Sequence, residues 1–467
     1  MKNDLNQAVI ATASISEQLA AFAAGFDKQA IPEAVRARAR HLMLDSLGSA
    51  FASRAYDFAD KAMAGIRDLN EGGQSIVIGT TEKFDTRNAI LMNGILIHGL
   101  DFDDTHAKGV IHATASVLPT VLAVAAKYDR SGEELVTAYI LGVEIATRLG
   151  SVAKGGFHQV GFHPTGLIGT FGCAVAAGYL MRLTEPQYVD ALGLALSVGS
   201  GSLEFLNDGA WNKRFHPGWA GASGVTAATM AKHGYRGTRL AFEGRFGLYR
   251  SHLPVEQDYD LALATADLGH VWEVVNVSVK PLPACHFTHA AVDAAIRIHA
   301  QGVAFDNIAR VDVLVPAEVV KTVCEPETQK RNPANSYEAQ FSIPYLVGTG
   351  LVKGRLTLED IEAPALFDPH VLDLASRTYY RHDPDTSFPK YYDGEVIVTL
   401  KNGQVVRERE AINRGAVDRP LTADDIIQKF RQNAARELGA ERVIDIEKAV
   451  LGMEALSARQ LAEILGR

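Results

Sequence analysis

Cysteine is scarce in this sequence: there are three in 467 residues, Cys173, Cys285 and Cys324, and none stands in a C-x-x-C spacing. An odd number so placed gives neither a disulfide framework nor a thiolate zinc site, and it suits a reducing cytoplasm. Charge of one sign is not concentrated either. The formal net charge of −9 argues against nonspecific nucleic-acid binding. Long apolar runs are also missing. The best stretch, Thr165 to Leu180, is rich in Gly and Ala and falls short of the roughly 20 strongly apolar residues that a bilayer span needs. No basic start followed by an apolar core marks a signal peptide, so a soluble cytoplasmic protein without membrane partners is expected. Neither an internal repeat nor a low-complexity linker occurs. What remains is 47% hydrophobic and 22% charged residues, ordinary for a globular protein, in a chain longer than one core usually serves. Two domains are expected.

The texture changes near residue 270. Before it the pattern is helical. Pro32 opens a segment carrying Val35, Leu42, Met43 and Leu47 at helical spacing. Ser131 to Glu134 and Thr184 to Gln187 are capping-box starts. Several segments are apolar almost all round and built from Ala and Gly, as helices buried in an all-α domain are. After residue 270, Val271 to Val279 and Arg310 to Val315 read as strands. Glu395 to Leu400 and Gln404 to Arg409 flank Asn402-Gly403 as a hairpin. Phe341 to Lys353 reads as a helix, and from Leu421 the helical pattern returns, with Thr422 as a cap. The expected fold is mainly α with an α+β part. A helical domain over 1–270 is joined by C-terminal helices over 411–467, and a smaller α+β domain over 271–410 is inserted between them.

Five segments carry possible chemistry. His98-Gly-Leu-Asp-Phe-Asp-Asp-Thr-His106 follows the apolar run Ile90 to Ile97. If it is helical, Asp101, Asp104 and Thr105 share one face. Carboxylates at the end of a buried segment need partners, which points to a polar site; a helix end that merely solvates its acids is the plain alternative. His163, in Phe162-His-Pro-Thr-Gly166, lies where a loop enters an apolar helix. It suits an anion at a helix N-terminus or a simple turn cap. Asn212-Lys-Arg-Phe-His-Pro-Gly218 concentrates Lys213, Arg214 and His216 before a further Ala-rich helix, enough to grip a carboxylate or phosphate, though surface lysine–arginine pairs are common. Lys280-Pro-Leu-Pro-Ala-Cys-His286-Phe-Thr-His289 falls at the expected domain junction. There Cys285 beside His286 raises the possibility of a thiolate nucleophile, a geometry that sequence neighbours rarely achieve. Tyr345, in Tyr337 to Tyr345, alone reads as a core tyrosine.

In order and wording these five segments resemble the MmgE/PrpD family across nearly the whole chain. The resemblance implies a large helical domain closed by a smaller α+β lid, a homodimer, an active site between the domains, and no metal or other cofactor. Carried over position by position, the family pocket resembles Asp101, Thr105, His112, His163, Lys213, Lys280 and Tyr345. Two departures stand out. Ala113 follows His112 where the family usually has proline. Cys285 stands where an ungapped match gives the family's cis-aconitate decarboxylases a histidine, with His286 one residue on.

The resemblance implies chemistry beside the carboxylates of a small polycarboxylic acid. His112, Tyr345, Asp101 and Lys213 are the expected catalytic residues. Thr105, His163, Lys280, Cys285, His286, Arg214 and His216 are expected around the substrate. Lysines and histidines there neutralise carboxylates and developing negative charge, and an imidazole with an intrinsic pKa near 6.5 exchanges protons near neutrality. The preferred expectation is a cofactor-independent dehydratase of a 2-methylcitrate-like acid. An epimerase of an iminodisuccinate-like acid, a cis-aconitate-type decarboxylase and a non-catalytic carboxylate binder are the alternatives.

Overall fold

Most of the sequence's start signals become helix N-termini. The computed structural model describes residues 13–206 and 208–466. Glu33–Ser53 follows Pro32 as its N-cap. Ser131 and Glu134 close a reciprocal capping box before Gly132–Val152, as Thr184 and Gln187 do before Glu185–Ala195 and Thr422 and Asp425 before Ala423–Ala434. Gly132–Val152 and Pro164–Met181 are long and apolar enough to cross a membrane, yet 94% of the apolar stretch in each is buried inside the protein, as in core helices. Small residues let them meet: a Cβ on Gly172 would fall 2.4 Å from the Gly142 carbonyl oxygen. The Asn212–Lys232 helix approaches Thr86–His98 as closely, since a Cβ on Gly218 would lie 2.2 Å from the Leu91 carbonyl oxygen. The fold is mainly α with an α+β part.

The chain forms two compact units, Met1–Ser278 with Thr422–Arg467, and Val279–Leu421. The expected insertion, 271–410, therefore begins and ends somewhat early. Val271 to Val279 is the reason at its start. Rather than one strand, it forms a 3-10 turn, Glu273–Asn276, and the short strand Val277–Ser278, which pairs antiparallel with Thr105–His106. Buried ion pairing holds this segment in the first unit. The Arg148 guanidinium binds Glu144 Oε1 at 2.6 Å and the Val271 carbonyl at 2.8 Å. Glu144 Oε2 accepts the Glu273 N–H at 2.7 Å, and Glu273 lies 3.0 Å from His106 Nε2. That histidine contact draws the Glu273 carboxyl down to about 2, whereas burial pushes Glu144 up to about 7.

The second unit is built on a four-stranded sheet in the order Thr378–His382, Ile308–Val315, Gly394–Leu400, Val405–Glu410. The first pair is parallel and the others antiparallel. Asn402-Gly403 turns the expected hairpin, Gly403 taking φ +87°. His289–Ala300 and Ile343–Lys353 pack together, and Val311, Val313, Val396, Val398, Ala294 and Val347 fill the core. The edge strand Thr378–His382 carries no clear alternation and was not expected.

Candidate active site

In the first unit, three helix starts and one helix end bring the polar residues together. Thr86–His98 ends at His98, and the chain leaves the helix there. Asp101 takes φ +50°, a left-handed conformation that aspartate tolerates better than most residues. The expected helical face of Asp101, Asp104 and Thr105 therefore does not exist; the acids lie on a loop ending in the short strand Thr105–His106. His112 is the N-cap of Ala113–Lys127, and His163 is the N-cap of Pro164–Met181. Lys213, Arg214 and His216 lie in the first turns of Asn212–Lys232 rather than before it. Three positive helix ends thus accompany these side chains.

Lys213 Nζ lies 2.8 Å from Asp101 Oδ2, and His112 Nε2 lies 3.9 Å from Asp101 Oδ1. His112 Nδ1 is 2.7 Å from the Asp104 carbonyl and 3.3 Å from Thr105 Oγ1. A carbonyl only accepts, so Nδ1 carries a proton, and in the neutral ring the lone pair is on Nε2, the nitrogen nearer Asp101. Thr165 Oγ1 accepts the His112 backbone N–H at 3.1 Å and fixes the ring's base. His163 and His216 meet through their Nδ1 atoms at 3.0 Å. Burial holds His163 well below the usual imidazole range and lowers His216 to about 4, with nearby His98 and Lys213 adding to both, so both rings are neutral near neutrality.

Two members of this cluster, His98 and Asp103, stand in the motif that the sequence singles out but carry no expected role there. His98 Nδ1 lies 2.9 Å from both carboxylate oxygens of Asp103, and its ring is 4.6 Å from that of His112 and 5.7 Å from that of His163, centre to centre. Both side chains are wholly buried. The signal was present: a histidine closing a fully apolar run, five residues before an aspartate. Asp104 serves a different purpose. Its carboxyl accepts the Thr114 hydroxyl, which meets Tyr139 Oη at 2.6 Å, and burial raises it to about 8. Arg214 places its Nε on the Gly99 carbonyl at 2.7 Å and its guanidinium over Phe58.

The second unit holds the other candidates. Lys280 is buried in it, and Cys285 belongs to its hydrophobic core, with its N–H on the Gln340 carbonyl at 2.8 Å. His286 Nε2 accepts from the Asn413 amide at 2.9 Å. A Cys285–His286 nucleophile pair finds no support in this arrangement. Tyr345 is fully buried and donates to the Asp360 carbonyl at 2.8 Å. Its hydroxyl proton lies on the backbone, and burial pushes its pKa up.

Two family profiles match the chain: the MmgE/PrpD N-terminal domain over residues 17–259 and the MmgE/PrpD C-terminal domain over residues 282–453. The chain belongs to the MmgE/PrpD family. Among curated relatives, human cis-aconitate decarboxylase is 29% identical over 460 residues, covering 95% of this chain and 92% of that protein. The cis-aconitate decarboxylase-like protein oryM of Aspergillus oryzae is 26% identical over 454 residues, 93% of each. The mitochondrial 2-methylcitrate dehydratase of Yarrowia lipolytica is 23% identical over 363 residues, 72% of this chain and 67% of that protein. The cluster from His98 to His216 lies wholly within the MmgE/PrpD N-terminal match, while Lys280 falls between the two matched segments.

Proposed function

We propose that this chain is a lyase acting on a small polycarboxylic acid, and that its first reaction is dehydration of a 2-methylcitrate-like hydroxy acid. The observation that carries this reading is the 2.7 Å contact of His112 Nδ1 with the Asp104 carbonyl. The proton held there leaves Nε2 of the neutral ring as a base beside Asp101 and the Lys213 ammonium. Three helix N-termini and Lys213 favour carboxylate groups at this place.

In the reaction, His112 Nε2 takes the proton from the carbon next to a substrate carboxylate. The electron pair left on that carbon forms the new C=C bond as the neighbouring C–O bond breaks. The hydroxyl departs as water with a proton from the Lys213 ammonium. Asp101, which faces both groups, returns the imidazolium proton to the Lys213 amine, so no net proton is gained or lost. Thr105 donates a hydrogen bond to the substrate, and His163, whose ring His216 orients, lines the same place.

A second reading, decarboxylation of a cis-aconitate-like acid, is favoured by the similarity to decarboxylases over almost the whole chain. There a C–C bond breaks, carbon dioxide leaves, and the electron pair left on carbon takes a proton from His112 in its charged form. Proton NMR in deuterated water with 2-methylcitrate, citrate, cis-aconitate and iminodisuccinate separates the readings. New vinylic signals from a hydroxy acid support dehydration, and carbon dioxide release from cis-aconitate supports the second reading. Deuterium exchange without elimination indicates an epimerase. No change in any of the four acids defeats the proposal of a lyase for this substrate class.

A further inference from the structure

His98, His112 and His163 each present a ring nitrogen within 4.8 Å of those of the other two, and a second set, His98, Asp101, Asp103 and His112, is equally close. We infer that this cluster is a binding site for one divalent transition-metal ion of the zinc class, and that the bound ion is an inhibitor. The inference concerns the residues of the site just described but does not depend on which reaction they perform.

The histidines are already arranged as ligands. His98 Nδ1 faces the Asp103 carboxylate at 2.9 Å, so that nitrogen bears the proton and Nε2 holds the lone pair. His98 Nε2 is buried and has no hydrogen-bond partner among the described residues, an arrangement that is costly unless something else occupies it. An imidazole that ligates through one nitrogen and donates through the other to a carboxylate is the recurring outer-shell pattern of metal sites. His112 follows it with a backbone carbonyl, through Nδ1–H to Asp104, and His163 follows it with His216. Imidazole donors suit zinc, cobalt, nickel and copper rather than magnesium or calcium. Three such donors leave the fourth position of a tetrahedral ion for Asp101 or water.

Tetrahedral coordination at the usual zinc–nitrogen distance puts donor nitrogens roughly 3.3 Å apart, so the three rings draw inward on binding. Lys213, 2.8 Å from Asp101, is the cation against which the ion competes. Once the imidazole lone pairs are committed to the ion, the rings no longer accept protons, and turnover stops.

The test uses the full chain, stripped with a chelator and titrated with Co2+. The expected result is one Co2+ per chain with the intense visible bands of a four- or five-coordinate ion, displaced by one equivalent of Zn2+ and untouched by Mg2+. Asp103→Asn, which removes the carboxylate facing both His98 Nδ1 and His112 Nδ1, is expected to weaken the ion about 10–100-fold. His163→Gln is expected to abolish the intense bands, and replacing the exposed His233 and His270 by glutamine is expected to change nothing. Pulsed electron paramagnetic resonance of Cu2+ in the unaltered protein counts coupled imidazole nitrogens without any variant; two or more are expected. Fewer than two imidazoles, the absence of Co2+ bands, or affinity in Asp103→Asn and His163→Gln within twofold of the parent overturns the inference. Turnover of the chelator-treated protein is measured separately, so failure of the lyase reading leaves this result standing.

Discussion

Replacing Lys429 by methionine removes the cation that faces Asp45 in the interior of the first unit. Lys429 Nζ lies 2.8 Å from Asp45 Oδ1 and 2.7 Å from the Phe102 carbonyl, and 3.8 Å above the Phe102 ring. The side chains are 8% and 0% exposed, so solvent screens the pair little. Removing one member of such a pair costs about 3–5 kcal/mol, because the carboxylate left behind is buried and uncompensated. Removing both, in Asp45→Leu with Lys429→Met, is expected to restore stability to within about 1 kcal/mol or to exceed the parent. Burial already raises the Asp45 pKa, with Lys429 the largest opposing influence. Without Lys429 the folded state holds the Asp45 proton to higher pH than the unfolded chain does. Stability then falls as pH rises through that window, and the deficit of the single variant shrinks on acidification. All three tryptophans, Trp211, Trp219 and Trp272, lie in the first unit, so tryptophan fluorescence during urea unfolding reports on that unit alone. A Lys429→Met deficit below about 1 kcal/mol at neutral pH, or one that does not narrow toward about pH 5, refutes the reasoning.

His112→Gln and Lys213→Met are each expected to lower kcat by about 10²–10⁴-fold while the far-ultraviolet circular dichroism stays unchanged. Tyr345→Phe is expected to keep turnover within about threefold of the parent and to lower stability by about 1 kcal/mol, the net worth of its bond to the Asp360 carbonyl. His163 and His216 have folded-state pKa values below the unfolded one, so the folded state binds fewer protons and stability declines as pH falls from about 6.5 to about 4. His216→Gln should flatten that decline, measured by the thermal midpoint across the range. Gly218→Ala places a methyl against the Leu91 carbonyl and is expected to cost about 1–3 kcal/mol in urea unfolding.

Much of the helical unit was legible because its signals are local. Capping boxes, proline starts and Gly/Ala faces depend on neighbours a few residues away, and each of those starts appears where the spacing put it. The hairpin around Asn402-Gly403 was legible for the same reason. Val271 to Val279 misled because β-branched residues favour strands only when a partner strand is present. Here Arg148 and Glu144, far away in sequence, hold the segment as a turn. The Asp101 to Thr105 burst misled in a similar way: the helix stops at His98 and a left-handed aspartate reverses the chain, so helical spacing no longer says which acids face together. At the site, the motifs supplied the residue types. They could not supply the partners that decide roles, such as the Asp104 carbonyl that fixes the His112 proton or the Asp360 carbonyl that occupies Tyr345. Nor did they give weight to His98, whose partner Asp103 matters only in three dimensions.

The contact between Lys429 and the Phe102 carbonyl joins residues 327 apart in the chain. During synthesis at roughly 5–20 residues per second, the loop that presents Asp101 waits on the order of 15–65 s for the residue that pins it. For that interval the Glu33–Ser53 helix also lacks its neighbour, Ala423–Ala434, and the whole of Val279–Leu421 is made in between. The ribosome therefore carries a chain whose reactive loop is complete in sequence but unanchored, with an apolar helix face open to passing chaperones. A product cut short between Leu421 and Lys429 has every candidate catalytic group but lacks the cation that binds the Phe102 carbonyl and faces Asp45.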